Sequence, residues 1–237
     1  MSTFFEETKC CVICNKLSEQ TQIGSTNSFG SCDLDLRPPE MQRSTMCHWI
    51  EVCPYCGYVA NNISMELDES DAKKQKRFGK LFTHKANNNN DFLDWLSSEE
   101  YKDCNGIQFK SLLAKNFYQH HLILINNNKI EDAFFALRNA AWACDDAKDD
   151  ENATVCRLKA IEYINVIIES VDEDKKADFE LIKADMLRRS NKFEELITEF
   201  ANKQYKDDIL DKIISFQIVK AREKDNSCYT VENTQIL

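Results

Sequence analysis

Hydrophobic side chains in the second half of the chain recur every three or four residues. In the clearest stretch, from Ile130 to Cys144, apolar residues occupy positions i, i+3, i+4, i+7, i+10, i+11 and i+14. This spacing places them on one face of an α-helix. Comparable patterns predict six amphipathic helices after residue 107, which contain the apolar sets Leu113, Phe117 and Leu124; Ile130, Ala133, Phe134, Leu137, Ala140, Ala141 and Cys144; Cys156, Ala160, Tyr163, Ile164, Ile167 and Val171; Ala177, Leu181 and Ala184; Phe193, Leu196, Ile197, Phe200 and Ala201; and Ile209, Ile213 and Phe216.

Helix-breaking residues are confined to the first part of the chain. All five glycines and all three prolines lie at or before Gly106. The region after them is therefore expected to be almost entirely helical, with turns rich in Asn and Asp. Two such turns, residues 128–133 and 191–196, share the pattern Asn-Lys-apolar-acid-acid-apolar. Short turns predict antiparallel helical hairpins, either of the tetratricopeptide type or in an irregular bundle.

Two CxxC pairs are the strongest chemical motif. Cys11 and Cys14 form the first pair, and Cys53 and Cys56 follow after 38 intervening residues. Two thiolates at this spacing can reach one ion, and four thiolates make a closed tetrahedral zinc site. Cys10 can replace Cys11 as a ligand, and an iron centre uses the same ligands. Disulfides or thioredoxin-like redox chemistry explain the motif less well in a reducing cytosol.

A closed four-cysteine site has no open coordination position for water, so its predicted role is structural. The predicted fold class is mainly α, with a small zinc-ribbon-like β module before the helical hairpins. The predicted domains are a zinc-ribbon-like module at 1–66, a connecting segment at 67–107 and a helical-hairpin domain at 108–237. The residues around the cysteines are too few to bury a sufficient core alone, so one zinc ion is expected to supply folding free energy.

The segment between the two CxxC pairs contains the densest group of charged residues. If residues 33–37 are extended, Asp33, Asp35 and Arg37 share one face, and Arg43 follows shortly after. Two carboxylates and two guanidinium groups could form a ligand or partner site. The alternative is an ion-paired surface that fixes this segment to the zinc core.

The order of these motifs resembles a known group of proteins. After the first CxxC come "STNSFGSCDLDLRPPEMQRSTM" and "WIEVCPYCGYVA". This arrangement resembles a family of uncharacterised bacterial proteins that join an N-terminal zinc-ribbon-like region to tetratricopeptide-like helices. The resemblance implies no particular activity. It implies a metal-ligand set and a signature segment, which would consist of Cys11, Cys14, Cys53 and Cys56, and of Asp33, Asp35, Arg37, Pro38, Pro39 and Arg43.

The overall charge is acidic, with 30 basic and 40 acidic side chains and a formal net charge of -10. Such a balance argues against general binding to nucleic acids or anionic membranes. Residues 73–85 form a basic exception that either contacts nucleic acid or is the solvated face of a connecting helix. No apolar run approaches the roughly 20 residues of a membrane span, and we expect a cytoplasmic protein.

Catalytic motifs are absent from the sequence: there is no GxSxG, P-loop, GxGxxG or HExxH pattern. His120 and His121 are adjacent on a predicted helix and point in different directions, so we expect one at the core edge and one exposed. The sequence therefore favours a non-enzymatic adaptor that binds a protein or peptide through its helical hairpins. A nucleic-acid-binding protein that uses residues 73–85 and an enzyme or small-ligand site around Asp33 to Arg43 are the alternatives.

Overall fold

The structure is a computed structural model that describes residues 1–65 and 89–236. It confirms the predicted fold class, because the chain is mainly helical with two small antiparallel sheets near its N-terminus. The first sheet pairs β1 (Thr3–Cys10) with β2 (Leu17–Ser25), and the second pairs β3 (Glu51–Val52) with β4 (Val59–Ala60). The basic segment 73–85 lies outside the described residues.

The helices follow the predicted order, and the six expected after residue 107 are confirmed. Within the part of the chain that the structure describes, two short α-helices precede them. The bounds of all eight are α1 Asn89–Leu96, α2 Glu99–Lys102, α3 Leu112–Asn126, α4 Ile130–Asp146, α5 Asp150–Ser170, α6 Glu173–Arg189, α7 Phe193–Phe200 and α8 Asp208–Arg222.

Four of these helices end in the same way although no glycine is available. The second residue after α3, α4, α6 and α8 has a positive φ of 55–60°, at Asn128 (57°), Lys148 (55°), Asn191 (60°) and Lys224 (56°). The N–H of the following residue then donates to a carbonyl of the last helical turn, as in Lys129 to Leu124 and Lys192 to Leu187, at 2.9 Å in both. This bond is the six-to-one bond of a Schellman motif. Asn and Lys thus end helices where glycine is the usual residue, which permits the short turns predicted from the sequence.

The chain folds into two compact units, and both are discontinuous in sequence. The first contains Met1–Thr26 and Ser44–Ala153, and the second contains Asn27–Arg43 and Thr154–Leu237. Residues 27–43, the middle of the segment between the two CxxC pairs, therefore belong to the unit that includes α6, α7 and α8. The division into 1–66, 67–107 and 108–237 stays a prediction.

Helices of the first unit provide a core for the second β-hairpin. Tyr58 is fully buried beside β4, and its ring centroid lies 6.2 Å from that of Phe92 on α1. The hydroxyl of Tyr101 on α2 donates to the carbonyl of Gly57 at 2.7 Å. Aromatic burial of this kind stabilises by roughly 2 kcal/mol or more per side chain. This hairpin is consequently less dependent on a metal than the sequence suggested.

The buried carboxylate of Glu51 connects the two hairpins. One oxygen accepts from Lys9 Nζ at 2.6 Å and from Gln22 Nε2 at 2.7 Å. The other oxygen accepts from the backbone N–H of Ile63 at 2.9 Å. Glu51 is 4% exposed, so the charge depends on these donors for its stabilisation. The sequence analysis did not identify this residue, because its partners lie up to 42 positions away.

Replacing Glu51 should destabilise the first unit. Glu51→Gln removes the negative charge beside the buried ammonium group of Lys9, and we expect a loss of about 3 kcal/mol in the free energy of unfolding. All three tryptophans, Trp49, Trp95 and Trp142, belong to the first unit, so their fluorescence in urea follows this unit alone. Glu19→Gln, which changes an exposed carboxylate on β2 of the same unit, is the matched control. Equal urea midpoints for the two variants would contradict the role of Glu51.

The histidine pair on α3 departs from the sequence prediction. His120 is 5% exposed and His121 is fully buried, so the expectation of one exposed histidine was wrong. The reason is that α3 contacts both α4 and β4, which widens its buried face beyond a single stripe. Burial lowers the pKa of His120 to about 4 from an ordinary value of 6.5. His120 is therefore neutral in the folded protein at pH 7.

This pKa predicts a loss of stability in mild acid. Between pH 6.5 and 4 the unfolded chain binds a proton at His120 and the folded chain does not, so stability falls as the pH falls. From pH 7 to 5 the expected loss is about 2 kcal/mol. The measurement is tryptophan fluorescence in urea at both pH values. The His120→Gln variant has no titrating group at this position, so its loss of stability from pH 7 to 5 should be smaller than that of the wild type by about 2 kcal/mol. Equal losses in the variant and the wild type would exclude the effect.

Candidate functional site

The two CxxC pairs lie in turns of identical length and hydrogen bonding. Each turn spans six residues, 11–16 between β1 and β2 and 53–58 between β3 and β4. The N–H of the first cysteine donates to the carbonyl of the sixth residue, at 3.0 Å in the first turn and 2.8 Å in the second. Directly after the second cysteine, Asn15 and Gly57 both adopt a positive φ, of 57° and 73°. Asn and Gly are the residues that tolerate this conformation best.

The repeated turn brings four cysteines together. The ligand atoms of Cys11, Cys14, Cys53 and Cys56 all lie within 4.8 Å of one another. Across the two turns, the Sγ atoms of Cys11 and Cys56 are 3.8 Å apart, and those of Cys14 and Cys53 are 3.5 Å apart. A tetrahedron with metal–sulfur bonds of about 2.3 Å has sulfur–sulfur edges of about 3.8 Å. The cluster therefore has the size required to hold one metal ion.

The electrostatic setting of the cluster also suits a cation. Burial raises the pKa of the Cys11 and Cys56 thiols, since a thiolate is poorly solvated there. Burial acts in the same direction on Cys53, but hydrogen bonds from the backbone N–H groups of Cys56 and Tyr55 help to lower its pKa. A bound cation stabilises all four thiolates, and binding releases their protons.

Cys10 lies outside this cluster. Its side chain is exposed, whereas Cys11 is fully buried. Cys10 is the last residue of β1 and Cys11 is the first residue of the turn, and successive side chains of an extended chain point to opposite faces. The geometry thus favours Cys11 over Cys10, a choice that the CxxC spacing left open. All eleven cysteines lie in the described residues, and none forms a disulfide.

The charged segment between the CxxC pairs is folded as a turn, so the proposed extended conformation was wrong. The N–H of Asp33 donates to the carbonyl of Arg37 at 2.9 Å, and Leu36 N–H donates to the carbonyl of Asp33, also at 2.9 Å. Asp33, Asp35 and Arg37 are all buried, at 3%, 1% and 5% exposure. Leu36 instead is 47% exposed, with a φ of 65°. Backbone closure of the turn, which periodicity alone does not reveal, decides these directions.

Arg43 holds the turn from within the same segment. Its Nη2 donates to Oδ1 of Asp33 at 2.7 Å, and its Nε donates to the carbonyl of Pro38 at 2.9 Å. The second oxygen of Asp33 is buried and has no hydrogen-bond partner among the described residues. Asp33 and Arg43 are thus brought together, as the clustering of charges in the sequence suggested.

Asp35 approaches a charged cluster on α6 that the sequence analysis missed, formed by Asp185, Arg188 and Arg189. Oδ2 of Asp35 lies 3.6 Å from Nη1 of Arg189, and Arg188 Nη2 donates to Oδ1 of Asp185 at 2.6 Å. Burial raises the pKa of Asp185, and the nearby charge of Asp35 adds to this effect, while Arg188 opposes it. The available sequence signal was an Asp and an Arg three residues apart on one helix, which also occurs at many solvated sites.

Arg188 links this cluster to α8 and to the C-terminal residues. It is fully buried, and its Nε donates to Oε1 of Gln217 at 3.1 Å. Its Nη1 donates to the carbonyls of Asp225 and Ser227 at 3.0 and 2.7 Å. A buried guanidinium group is tolerated when its donors are satisfied in this way.

Comparisons with protein-family models, with curated proteins and with solved structures find no match for this chain. The four-cysteine cluster is the part of the proposed zinc-ribbon resemblance that the structure supports, and membership of the family stays a prediction. Among the helices in the described parts of the chain, none combines the length and apolar character needed to cross a membrane.

Proposed function

We propose that this protein is a non-catalytic adaptor. One structural zinc ion stabilises its N-terminal β-hairpins, and its helical part binds a protein or peptide partner. The observation that carries the proposal is the convergence of four cysteine sulfurs from two equivalent turns. A site completed by four protein ligands stabilises a fold and has no position at which to activate water.

Zinc is the ion that the donor set favours. Thiolates select soft or borderline metals, and a compact tetrahedral set of four is the commonest structural zinc site. Iron accepts the same ligands, so elemental analysis of protein purified without added metal must distinguish them. We place the protein in the cytoplasm, because a reducing compartment keeps these thiols available for the ion.

The proposed binding role of the helical part rests on a backbone pairing within the second unit. Residues 32–34 lie antiparallel to residues 229–231 and exchange backbone hydrogen bonds with them. Surfaces built from helices and an exposed backbone edge commonly take extended segments. The described helices expose few large apolar side chains, namely Leu112, Val155 and Ile209, so a polar interface fits this surface better than an apolar groove.

The test uses the full, metal-loaded chain as bait in a native cytoplasmic extract. We expect one protein to be recovered in stoichiometric amount, and hydrogen exchange of the purified complex to show protection in α5 to α8. The Cys53→Ser chain is the matched bait for the metal site, and it should retain the partner because the contact is remote in sequence from the cysteines. Recovery of no stoichiometric partner, or protection confined to residues 1–65, would contradict the adaptor function.

A further inference from the structure

Residues 32–37 lie in the second unit in the manner of a bound peptide. Asp33 forms an antiparallel bridge with Thr230, nearly 200 positions away. The N–H of Leu34 donates to the carbonyl of Tyr229 at 3.0 Å, and the N–H of Val231 donates to the carbonyl of Cys32 at 2.9 Å. Pairing of an extended segment with a free backbone edge is a recurring mode of peptide recognition.

Side-chain charge adds specificity to this backbone pairing. Asp35 is 1% exposed and lies beside Arg189, in the last turn of α6, with a 3.6 Å distance between Oδ2 and Nη1. Arg188, the preceding residue, donates to the carbonyls of Asp225 and Ser227 and so fixes the chain just before the bridge. Guanidinium groups recognise carboxylates by charge and by geometry. The surface therefore suits a segment that pairs through its backbone, then turns and presents one carboxylate to Arg189, whereas Asp33 pairs with Arg43 of its own segment.

The segment occupies this surface with local strain. Leu36, a bulky non-glycine residue, has a φ of 65°, and Met41 has a φ of 71°. The left-handed region is unfavourable for such side chains. The buried Oδ2 of Asp33 also has no hydrogen-bond partner among the described residues. An unsatisfied buried acceptor is costly. A partner segment with glycine at the position of Leu36 would make the same turn without the steric penalty.

We infer that residues 32–37 are an internal ligand, and that the same surface recognises a short acidic segment of a partner protein that pairs and turns in the same way. The surface is defined by α6 and residues 225–231. The inference rests on the proposed adaptor function and names the chemistry of its partner. A tethered segment has an effective concentration in the millimolar range, so it excludes weak competitors and admits only a partner that binds better. The contact thus holds the binding surface closed until that partner arrives.

The probe is a fluorescent peptide with the sequence of residues 27–43, in which Cys32 is replaced by serine. Fluorescence anisotropy measures its binding to the full, metal-loaded chain. Asp35→Asn weakens the internal segment without altering the surface beneath it, so this variant should bind the probe about tenfold tighter than wild type. Adding Arg189→Gln to that variant should remove the gain, whereas adding Arg222→Gln on the exposed end of α8 should not.

A second variant tests the strain and does not depend on the first. Leu36→Gly removes the steric cost of the positive φ at an exposed position, so the internal segment should be held more tightly. We expect exchange of the Leu34 and Val231 amide hydrogens, which bond across the bridge, to slow by roughly threefold to tenfold. Unchanged or faster exchange would overturn the strain argument.

Three further results would overturn the inference. The first is a folded Asp35→Asn chain that binds the probe no better than wild type does. The second is a probe with Asn at both Asp positions that binds as tightly as the original probe. The third is dimerisation of the Asp35→Asn chain, which would make a second copy of the chain the occupant. If a stoichiometric partner protects α5, α7 or α8 but leaves α6 and residues 225–231 unprotected, the adaptor function stands and this inference fails.

Discussion

The Cys53→Ser substitution is expected to abolish metal binding and to unfold the first β-hairpin. Elemental analysis of the wild type should give about one zinc ion per chain. The variant should contain almost none, because a site that has lost one of its four thiolates binds the ion far more weakly. β1 and β2 should lose their amide protection, since an isolated hairpin is at best marginally stable. Strong chelation of the wild type should have the same effect.

The structure also indicates which elements should stay folded in the Cys53→Ser chain. β3 and β4 should keep part of their protection, because Tyr58 and Val59 are fully buried without help from the metal. The far-UV helix signal should persist, since the apolar faces of the helices need no ion. Cys10→Ser is the matched control, because it removes an exposed thiol next to the cluster. A wild-type chain without metal, or full protection of β1 and β2 in Cys53→Ser, would show that the four cysteines do not form the site.

Arg188→Met is expected to destabilise the second unit by about 3–5 kcal/mol, because it leaves the buried carboxylate of Asp185 without its guanidinium partner. Methionine fills much of the same volume, so packing changes little. Urea unfolding followed by amide exchange in α6 and α8 measures the loss. Arg222→Met on exposed α8 surface is the control and should change stability by less than about 0.5 kcal/mol.

The pH dependence of this variant provides an independent check. Burial raises the pKa of Asp185, so the folded state binds a proton more readily than the unfolded state. The contribution of such a group to the free energy of unfolding falls as the pH rises above its unfolded pKa of 3.8. Without Arg188 the pKa rises further, and the deficit of the variant should grow from pH 4 to pH 7. A deficit independent of pH would mean that lost packing, and not the uncompensated carboxylate, explains the instability.

Local sequence patterns were sufficient for the helices and for the cysteine cluster. The 3.6-residue spacing of apolar side chains identified α3 to α8, because a helix buries its stripe whatever its partner is. The CxxC spacing marked Cys11, Cys14, Cys53 and Cys56 as the candidates, with Cys10 as the alternative to Cys11, because a short turn fixes two sulfurs at the distance that one ion requires. Neither the helix stripe nor the spacing within one CxxC needs a contact between distant residues, and both patterns reappear in the structure.

Contacts between distant residues decided the features that the sequence did not reveal. Glu51 depends on Lys9 and Ile63, and Asp33 pairs with Thr230 from the other end of the chain. His121 is buried because α3 contacts both α4 and β4. A single apolar stripe in the sequence predicts a contact with one neighbouring element only.

The sequence by itself thus determined which segments become helices and which cysteines pair within each CxxC turn, since both follow from covalent spacing, whereas the meeting of the two turns is tertiary. Only the tertiary structure decided which charges are buried and what neutralises them. A carboxylate such as Asp35 is stable in the interior only beside a guanidinium group like that of Arg189. The chain places these two residues 154 positions apart, so no local pattern records their meeting.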